Sequence, residues 1–461
     1  MQVPLIGGDP LDRVSGNFPD QRLLPSPALI PSTPSSGDQM SSLSSLPDIT
    51  QVPEKLTLQD VQAYRSSKFN PNELQGELTK TYEGKVRKNY FIRSEAGKNL
   101  IISEASDRTS AFDIPNLIPQ VPYKGKVLDT ISKHWAAQIE EWGYKTDLVK
   151  DHGLDFHPHA AITVREPLET LPLEFVVRRY LTGTTDTSLS TRYFKDGERD
   201  YGDFKLKDGL ELHSRLDRTI LTPTTKEKED RNVNKAGAVD FILQKAKEDE
   251  QFNQALDKAL SKLRTTDESL SDLSLENLDH KKLLVNRLYE KIEKMVIDVF
   301  DKAERELKGS AVLLIDTKFE LGLDKDGEVR FMDELLTPDS SRYWSKKSLE
   351  EARQLNQTIV KENQTSSMPA TATDLFSKLK FPSSVDKDLM RNIARAKPEE
   401  FSAWKAENQD IIKKNKTKAA EEEYQPYKSQ FFSDADVQKL ANGYLHILKI
   451  ITGKDLNLKK N

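Results

Sequence analysis

Alternating apolar and polar residues flank Asp326-Gly327, and this pattern predicts a β-hairpin within the stretch from Val312 to Trp344. Both residues of an Asp-Gly pair tolerate the positive φ of a tight two-residue turn. Successive side chains of a strand point to opposite faces, so Asp316, Lys318 and Glu320 share one face. The apolar residues of the same strand fall on the other face, which we expect to be buried.

Counting back from a two-residue turn places Glu320 directly opposite Asp333. Two carboxylates paired across a sheet repel each other, and a divalent cation between them would remove that repulsion. Hard oxygen ligands suit Mg²⁺, and Lys318 on the same face could then reach a phosphate. Two alternatives stay open: a solvated sheet face with ordinary charges, or a one-residue slip in the turn that breaks the pairing.

Two arginines lie beside short loops that carry hydroxyl groups. Arg342 follows the loop 337–341, and Arg178 precedes Gly183-Thr184. A guanidinium group donates two parallel hydrogen bonds to a phosphate or a carboxylate, so each arginine is a candidate for binding an anion. The alternative is that each arginine pairs with a nearby carboxylate, such as Asp339 for Arg342.

The chain divides by composition into five parts. Residues 1–75 are rich in Pro and Ser, which predicts a disordered extension with at most a short helix, dispensable for catalysis. Residues 76–170 and 171–345 mix strands and helices and are predicted to be an N-terminal and a central subdomain. Residues 346–423 are typical of charged, solvated helices without candidate chemistry, and 424–461 predict an amphipathic helix that docks on the core.

Bulk properties exclude several classes of protein. A net charge of −5 and a pI near 6.0 argue against a general nucleic-acid binder. The absence of cysteine excludes disulfides and thiolate chemistry and fits a reducing compartment. The first residues lack the pattern of a signal peptide and no apolar run could span a bilayer, so we expect a cytoplasmic protein without a membrane contact. The sequence does not predict an oligomeric state.

Seven motifs in order resemble those of the SAICAR synthetase family. They read GKVRKNY, SDRTSAFD, PYKGKVLDTIS, LPLEFVVRRYLTGT, TPTTK, DTKFELG and DELLTPDSSRYW, and they cover most of residues 80–345. The resemblance implies an ATP- and Mg²⁺-dependent ligase of purine biosynthesis. It would join L-aspartate to the carboxylate of carboxyaminoimidazole ribonucleotide (CAIR), through an acyl phosphate. It also implies a two-part α+β fold similar to that of ATP-grasp enzymes, with antiparallel sheets, flanking helices and ATP bound by the N-terminal subdomain.

The resemblance also implies roles for particular residues. Lys85 would lie at the ATP phosphates, and the segment of Leu171 and Leu173 at the adenine. Lys318 and Asp316 would be catalytic, with Lys318 and Glu320 also at ATP and with Glu320 and Asp333 binding Mg²⁺. The remaining positions would contact the substrates: Ser110, Asp113, Arg178, Thr184, Asp230 and Arg342. Of these, Arg178, Thr184 and Arg342 would converge on the ribonucleotide phosphate.

One departure from the family pattern affects the recognition of aspartate. The family's His-Asp pair after the TPTTK motif is absent, and Lys228-Glu229-Asp230-Arg231-Asn232 stands there instead, so that Asp230 is the candidate acidic member. Two other functions therefore stay open. One is a nucleotide-binding pseudoenzyme that acts as an interaction protein, and the other is a small-molecule kinase on a similar fold.

Overall fold

The computed structural model describes the greater part of the chain, and its helices and antiparallel sheets confirm the predicted α+β class. The described residues are 49, 51–66, 69–70, 76–152, 154, 161–183, 188–201, 204–227, 231–367, 370–419 and 422–458. Two candidate substrate-binding residues, Thr184 and Asp230, lie outside them.

The first sheet has four antiparallel strands in the order β1-β2-β3-β6. These are β1 (Glu77–Glu83), β2 (Arg87–Arg93), β3 (Asn99–Ala105) and β6 (Ile162–Arg165). A ribbon of β4 (Thr109–Ala111) and β5 (Ile114–Ile118) follows β3 and leads into helix α2 (Lys124–Glu141). This helix is amphipathic because Val127, Leu128 and Ile131 recur on the face that enters the main core.

The second sheet is built around one long strand, β10 (Val312–Leu323). Strands β8 and β7 pair with one edge of β10, β11 and β12 share its other edge, and β9 extends the sheet beyond β8. Their bounds are β7 (Glu169–Thr170), β8 (Leu173–Tyr180), β9 (Arg215–Thr225), β11 (Val329–Met332) and β12 (Ser341–Ser345). The hairpin of β10 and β11 confirms the predicted one, and Phe319, Leu321 and Leu323 are buried as expected.

The register of this hairpin corrects one prediction. Glu320 pairs with Met332 and not with Asp333, because five residues, 324–328, connect the strands. The buried Asp324 carboxylate accepts hydrogen bonds from the N–H groups of Asp326 and Glu328, at 2.9 and 2.8 Å, and so stabilises the longer loop. Asp333 therefore lies just beyond the end of β11.

Long helices cover the second sheet, and each has an amphipathic pattern. Helix α6 begins after the N-cap Asn277, whose side chain accepts hydrogen bonds from the first turn, and it buries an apolar stripe that includes Leu284, Leu288 and Ile292. The helices outside the 346–423 segment are α1 (Leu58–Ala63), α3 (Leu189–Phe194), α4 (Lys235–Glu248), α5 (Glu250–Thr266), α6 (Leu278–Glu306) and α12 (Asp434–Thr452). Of the helices in the described residues, none is both long and apolar enough to cross a membrane.

The segment 346–423 is helical, as expected, and packs beside the second sheet. Its helices are α7 (Lys346–Thr365), α8 (Ala372–Lys378), α9 (Asp388–Ala396), α10 (Pro398–Glu407) and α11 (Gln409–Thr417). Phe401 and Trp404 of α10 join the main core, and α9 approaches the start of β12 through an ion pair between Asp388 and Arg342.

Residues 51–66 are ordered against α12, which corrects the prediction of disorder for this part of the N-terminal extension. Leu56 is buried in the main core, and both Lys55 and Leu56 donate backbone hydrogen bonds to the Asn442 side chain. Further along, the Tyr64 hydroxyl donates to Asp107 at 2.9 Å. We call residues 51–66 the N-terminal strap, since they connect α12 with the segment that precedes α2.

Candidate functional site

Asp316 of β10 lies between two arginines on the neighbouring strands. The register places Asp316 opposite Arg178 of β8 on one side and opposite Arg342 of β12 on the other. Asp316 Oδ2 is 3.5 Å from Arg178 Nη1 and forms a closer ion pair with Arg342 Nη1. Arg178 Nε also donates to Thr222 Oγ1 of β9 at 2.8 Å. The two arginines predicted to converge do so, and their shared carboxylate is Asp316 rather than Asp339.

A cavity next to Arg342 lies between the second sheet and helix α9. Its lining residues come from the segment after β8, from β12 and from the 346–423 segment, and they are Thr182, Gly183, Arg342, Trp344, Phe381, Pro382, Asp388, Asn392 and Arg395. Sequence reasoning missed the contribution of α9. Its charges recur at helical spacing, and that pattern is also typical of a solvated helix face.

A second charged cluster surrounds Lys318, two residues further along the same face of β10. Lys318 Nζ is 2.7 Å from Glu174 Oε1 and 3.4 Å from Glu320 Oε1, and Lys226 Nζ is 2.5 Å from Glu320 Oε2. Burial alone would lower the pKa of Lys318, but the carboxylates of Glu174 and Glu320 raise it above its ordinary value. Lys318 is therefore a permanently charged ammonium group.

Asp333 completes this cluster from the side of the first sheet. It has a positive φ of 60°, and its carboxylate lies 3.2 Å from Arg87 Nε at the start of β2. Burial would raise the pKa of Asp333, but the positive charges of Arg87, Arg165 and Lys318 together lower it. The ionised Asp333 thus bridges the two sheets.

The carboxylates of Glu320 and Asp333 fit a magnesium ion as a partial ligand set. Among the residues that the structure describes, no group of three or more metal-binding side chains occurs. Mg²⁺ commonly takes only one or two protein carboxylates and completes its shell with phosphate oxygens and water. However, Lys226, Lys318 and Arg87 contact these carboxylates. The protein's own cations therefore offset part of their repulsion, contrary to the expectation that a metal is needed to relieve it.

The loop before β12 is held from three directions through Asp339. The wholly buried Lys124 at the start of α2 pairs with Asp339 Oδ2 at 2.6 Å, and the Tyr444 hydroxyl of α12 donates to Asp339 Oδ1. Lys387 donates to the Asp339 carbonyl oxygen. Although burial opposes it, the charges of Lys124 and Lys387 lower the pKa of Asp339 to about 2. These contacts fix the loop that positions Arg342.

The other predicted site residues make local contacts. The Ser110 hydroxyl accepts a hydrogen bond from the N–H of Asn116, and both Lys85 and Asp113 are exposed in turns. The hydrogen bonds and ion pairs of the described residues do not join these three to the Lys318 cluster or to the arginine pair. Leu171 and Leu173 are buried in the main core, so only the backbone of their segment could contact a ligand.

Comparison with known proteins agrees with this architecture. The family model for SAICAR synthetase matches residues 80–265 and 236–375. A putative phosphoribosylaminoimidazole-succinocarboxamide synthase 2 of Mesorhizobium japonicum is 32% identical over 276 residues, which are 60% of this chain and 72% of the relative. The chloroplastic phosphoribosylaminoimidazole-succinocarboxamide synthase of Vigna aconitifolia is 30% identical over 315 residues, 68% of this chain and 76% of the relative.

A solved structure shows the same fold. The SAICAR synthase from Saccharomyces cerevisiae complexed with SAICAR is 19% identical and has a TM-score of 0.50. The match covers 86% of this chain and 99% of the yeast chain. At this level of identity the likeness concerns the fold alone.

Proposed function

The chain belongs to the SAICAR synthetase family, and on that premise we propose that it joins L-aspartate to the carboxylate of CAIR. Members of this family are ATP-dependent ligases of purine biosynthesis, so a ligase is favoured over the pseudoenzyme and the small-molecule kinase. Plant relatives are named chloroplastic, and the cytoplasmic location therefore stays a prediction from the sequence.

The chemistry that this reaction needs is charge neutralisation and positioning. The CAIR carboxylate attacks the γ-phosphorus of ATP, so that an acyl phosphate forms and ADP leaves. The amine of aspartate then attacks the acyl carbon, phosphate leaves with the bonding electrons, and an amide bond with one released proton results. Both steps bring anions together, and fixed cations lower the barrier because they stabilise the charge of the transition states.

We assign the ribonucleotide phosphate to Arg178 and Arg342 and the ATP phosphates to Lys318. Glu320 and Asp333 would hold Mg²⁺, which when bound neutralises phosphate charge and orients the phosphoryl group. Asp316 would orient both arginines. The backbone near Leu171 and Leu173 would meet the adenine, and Lys85 the outer phosphates.

One observation carries the proposal: the two charged clusters lie on the same face of a single strand. Asp316, which joins the arginine pair, and Glu320, which joins the lysine cluster, are four residues apart on β10. Strand geometry separates them by roughly 13 Å. This span suits one ribonucleotide whose phosphate lies at the arginines while its carboxylate reaches the lysine cluster.

The activity is tested by measuring ADP release with ATP, CAIR and L-aspartate, and with each omitted in turn. The proposed ligase releases ADP steadily only when all three are present. Steady ADP release without aspartate would identify a small-molecule kinase. Binding of ATP without release of ADP under any combination would identify a pseudoenzyme.

The assignment of the phosphate site is tested by Arg342→Lys. A lysine keeps the positive charge but loses the forked donor pair, so the KM for CAIR should rise roughly ten-fold or more while that for ATP changes little. Arg305→Lys, at an exposed position near the end of α6, is the matched control. If the KM for ATP rises and that for CAIR does not, the two subsites are assigned the wrong way round.

A further inference from the structure

A carboxylate lies in the wall of the cavity beside Arg342, one of the two arginines to which we assign the ribonucleotide phosphate. Asp388, the first residue of α9, lies with its Oδ2 atom 3.4 Å from Arg342 Nε. The same carboxylate forms a close ion pair with Arg391, one turn further along α9. An anion site that contains its own anion needs an explanation, because a carboxylate repels a phosphate within the same cavity.

The two carboxylates that contact Arg342 hold it unequally. Asp316 forms the closer ion pair, at Nη1, and Asp316 is also fixed by its place between two strands. Asp388 makes the longer contact, at Nε, from a helix outside the sheet. A phosphate that binds the guanidinium in the forked manner needs two of its N–H groups. The group that yields to it is therefore Asp388, and Asp316 keeps its contact.

Displacement of Asp388 would not leave a buried charge without a partner. Arg391 remains beside it in the same helix, three residues away. Arg395 also lines the cavity, and its positive charge interacts electrostatically with Asp388. The carboxylate can thus leave Arg342 while its charge stays neutralised. A buried ion without such a second partner would strongly destabilise the displaced state.

From this geometry we propose that Asp388 is an internal competitor for the phosphate group and thereby sets the affinity of the site for phosphorylated ribonucleotides. The proposal rests on the function proposed above and adds a residue that tunes substrate and product binding. Asp388 holds Arg342 while the cavity is empty and releases it when the phosphate enters. Because the product carries the same phosphate, Asp388 also assists its departure.

The test replaces the charge and keeps the shape, in Asp388→Asn. We expect the dissociation constant for ribose 5-phosphate, measured by calorimetry without ATP, to fall about five-fold, the size of one partly exposed ion pair. The KM for CAIR should fall by a similar factor. Asp388→Glu keeps a carboxylate at this position, so its dissociation constant for ribose 5-phosphate and its KM for CAIR should lie closer to those of the native protein. Asp410→Asn, at an exposed position on α11, should change neither.

The results separate this inference from the function on which it rests. Unchanged or weaker binding of ribose 5-phosphate by the Asp388→Asn protein, with a native melting temperature, would overturn the inference even if the chain makes SAICAR. Tighter binding of ribose 5-phosphate by a chain that makes no SAICAR would support the inference and refute the proposed reaction. Tighter binding that persists equally in Asp388→Glu would show that the charge at this position is irrelevant and would also overturn it.

Discussion

The N-terminal strap should lose its attachment when Asn442 is replaced by alanine. Asn442 is a buried residue of α12, and its Oδ1 atom accepts hydrogen bonds from the N–H groups of Lys55 and Leu56 at 2.8 and 2.9 Å. Its Nδ2 atom donates to the Leu56 carbonyl at 2.9 Å. A net hydrogen bond contributes about 1 kcal/mol, so Asn442→Ala should remove roughly 2–3 kcal/mol of strap attachment.

The burial of Leu56, the Tyr64–Asp107 hydrogen bond and the ion pair of Lys55 with Asp455 remain in the variant. A fully buried leucine alone contributes about 1.5–3 kcal/mol, so the strap is weakened and stays partly attached. Hydrogen exchange of the amides of residues 51–66 should therefore accelerate about 30- to 150-fold, the factor that 2–3 kcal/mol represents. Urea unfolding reports whether the strap unfolds together with the rest of the domain or before it.

Two further variants act as graded controls. Gln438→Ala removes one donor from the Leu56 carbonyl while Asn442 still serves it, so it should cost less than 1 kcal/mol. Asn442→Asp keeps the acceptor for both N–H groups, so its loss of strap attachment should lie between those of Gln438→Ala and Asn442→Ala. If Asn442→Ala changes neither the exchange of residues 51–66 nor the urea midpoint, the strap contacts do not hold this segment.

The strap also has a consequence for catalysis. Tyr64 donates to Asp107, and Asp107 accepts the N–H of Gly125 in the first turn of α2. The neighbouring Lys124 pairs with Asp339 in the loop that positions Arg342. Removal of residues 1–48 should leave kcat unchanged because their Pro/Ser composition offers little apolar surface. Removal of residues 1–66 should lower activity, contrary to the sequence-based prediction that the N-terminal extension is dispensable for catalysis.

Two further predictions concern Asp333 and His213. Asp333→Asn should abolish ADP release in the presence of all substrates, and turnover near the native value would refute the assignment to the metal site. The urea midpoint should also fall, because within the described part of the chain the buried Arg87 keeps Glu334 as its one ion-pair partner. The wholly buried His213 donates through Nε2 to the Lys380 carbonyl and accepts through Nδ1 from Thr182, and burial lowers its pKa to about 4. In the unfolded chain His213 takes up a proton near pH 6.5, whereas in the folded chain it does so only near pH 4. The neutral, buried His213 therefore contributes its full stabilisation above pH 6.5, and this stabilisation is lost as the pH falls toward 4. This stabilisation amounts to at most about 3 kcal/mol. If the free energy of unfolding of His213→Gln changes with pH as steeply as that of the native protein between these two pH values, the prediction is contradicted.

Local periodicity was sufficient to predict much of the second sheet. The alternation in β10 predicted the burial of Phe319, Leu321 and Leu323, and it placed Asp316, Lys318 and Glu320 on one face, although Asp316 is buried as well. The convergence of Arg178 and Arg342 was predicted through the resemblance to the SAICAR synthetase family, whereas the residues alone left open that each arginine pairs with a nearby carboxylate. The alternation of β10 concerns side chains within one strand, so a short stretch of sequence is sufficient to predict it.

Features that depend on distant contacts were not predictable in this way. The strap obtains its apolar and hydrogen-bonding partners from α12, almost four hundred residues later, and its own composition resembles that of a disordered tail. Helix α9 has a charged pattern that fits a solvated face equally well. Only its position beside Arg342 identifies Asp388 as part of the cavity.

The one-residue error in the hairpin register has a physical cause and a functional consequence. Asp324 binds the N–H groups inside the loop, and this lengthens the connection beyond the two-residue turn that Asp-Gly predicts. The shift moves Asp333 out of the strand ladder, where it adopts a positive φ and contacts Arg87 of the first sheet. Glu320 and Asp333 therefore belong to different local frameworks, one inside a sheet and one at the junction of two sheets. A metal bound by both would couple the sheets, and any motion of one sheet against the other would change its coordination.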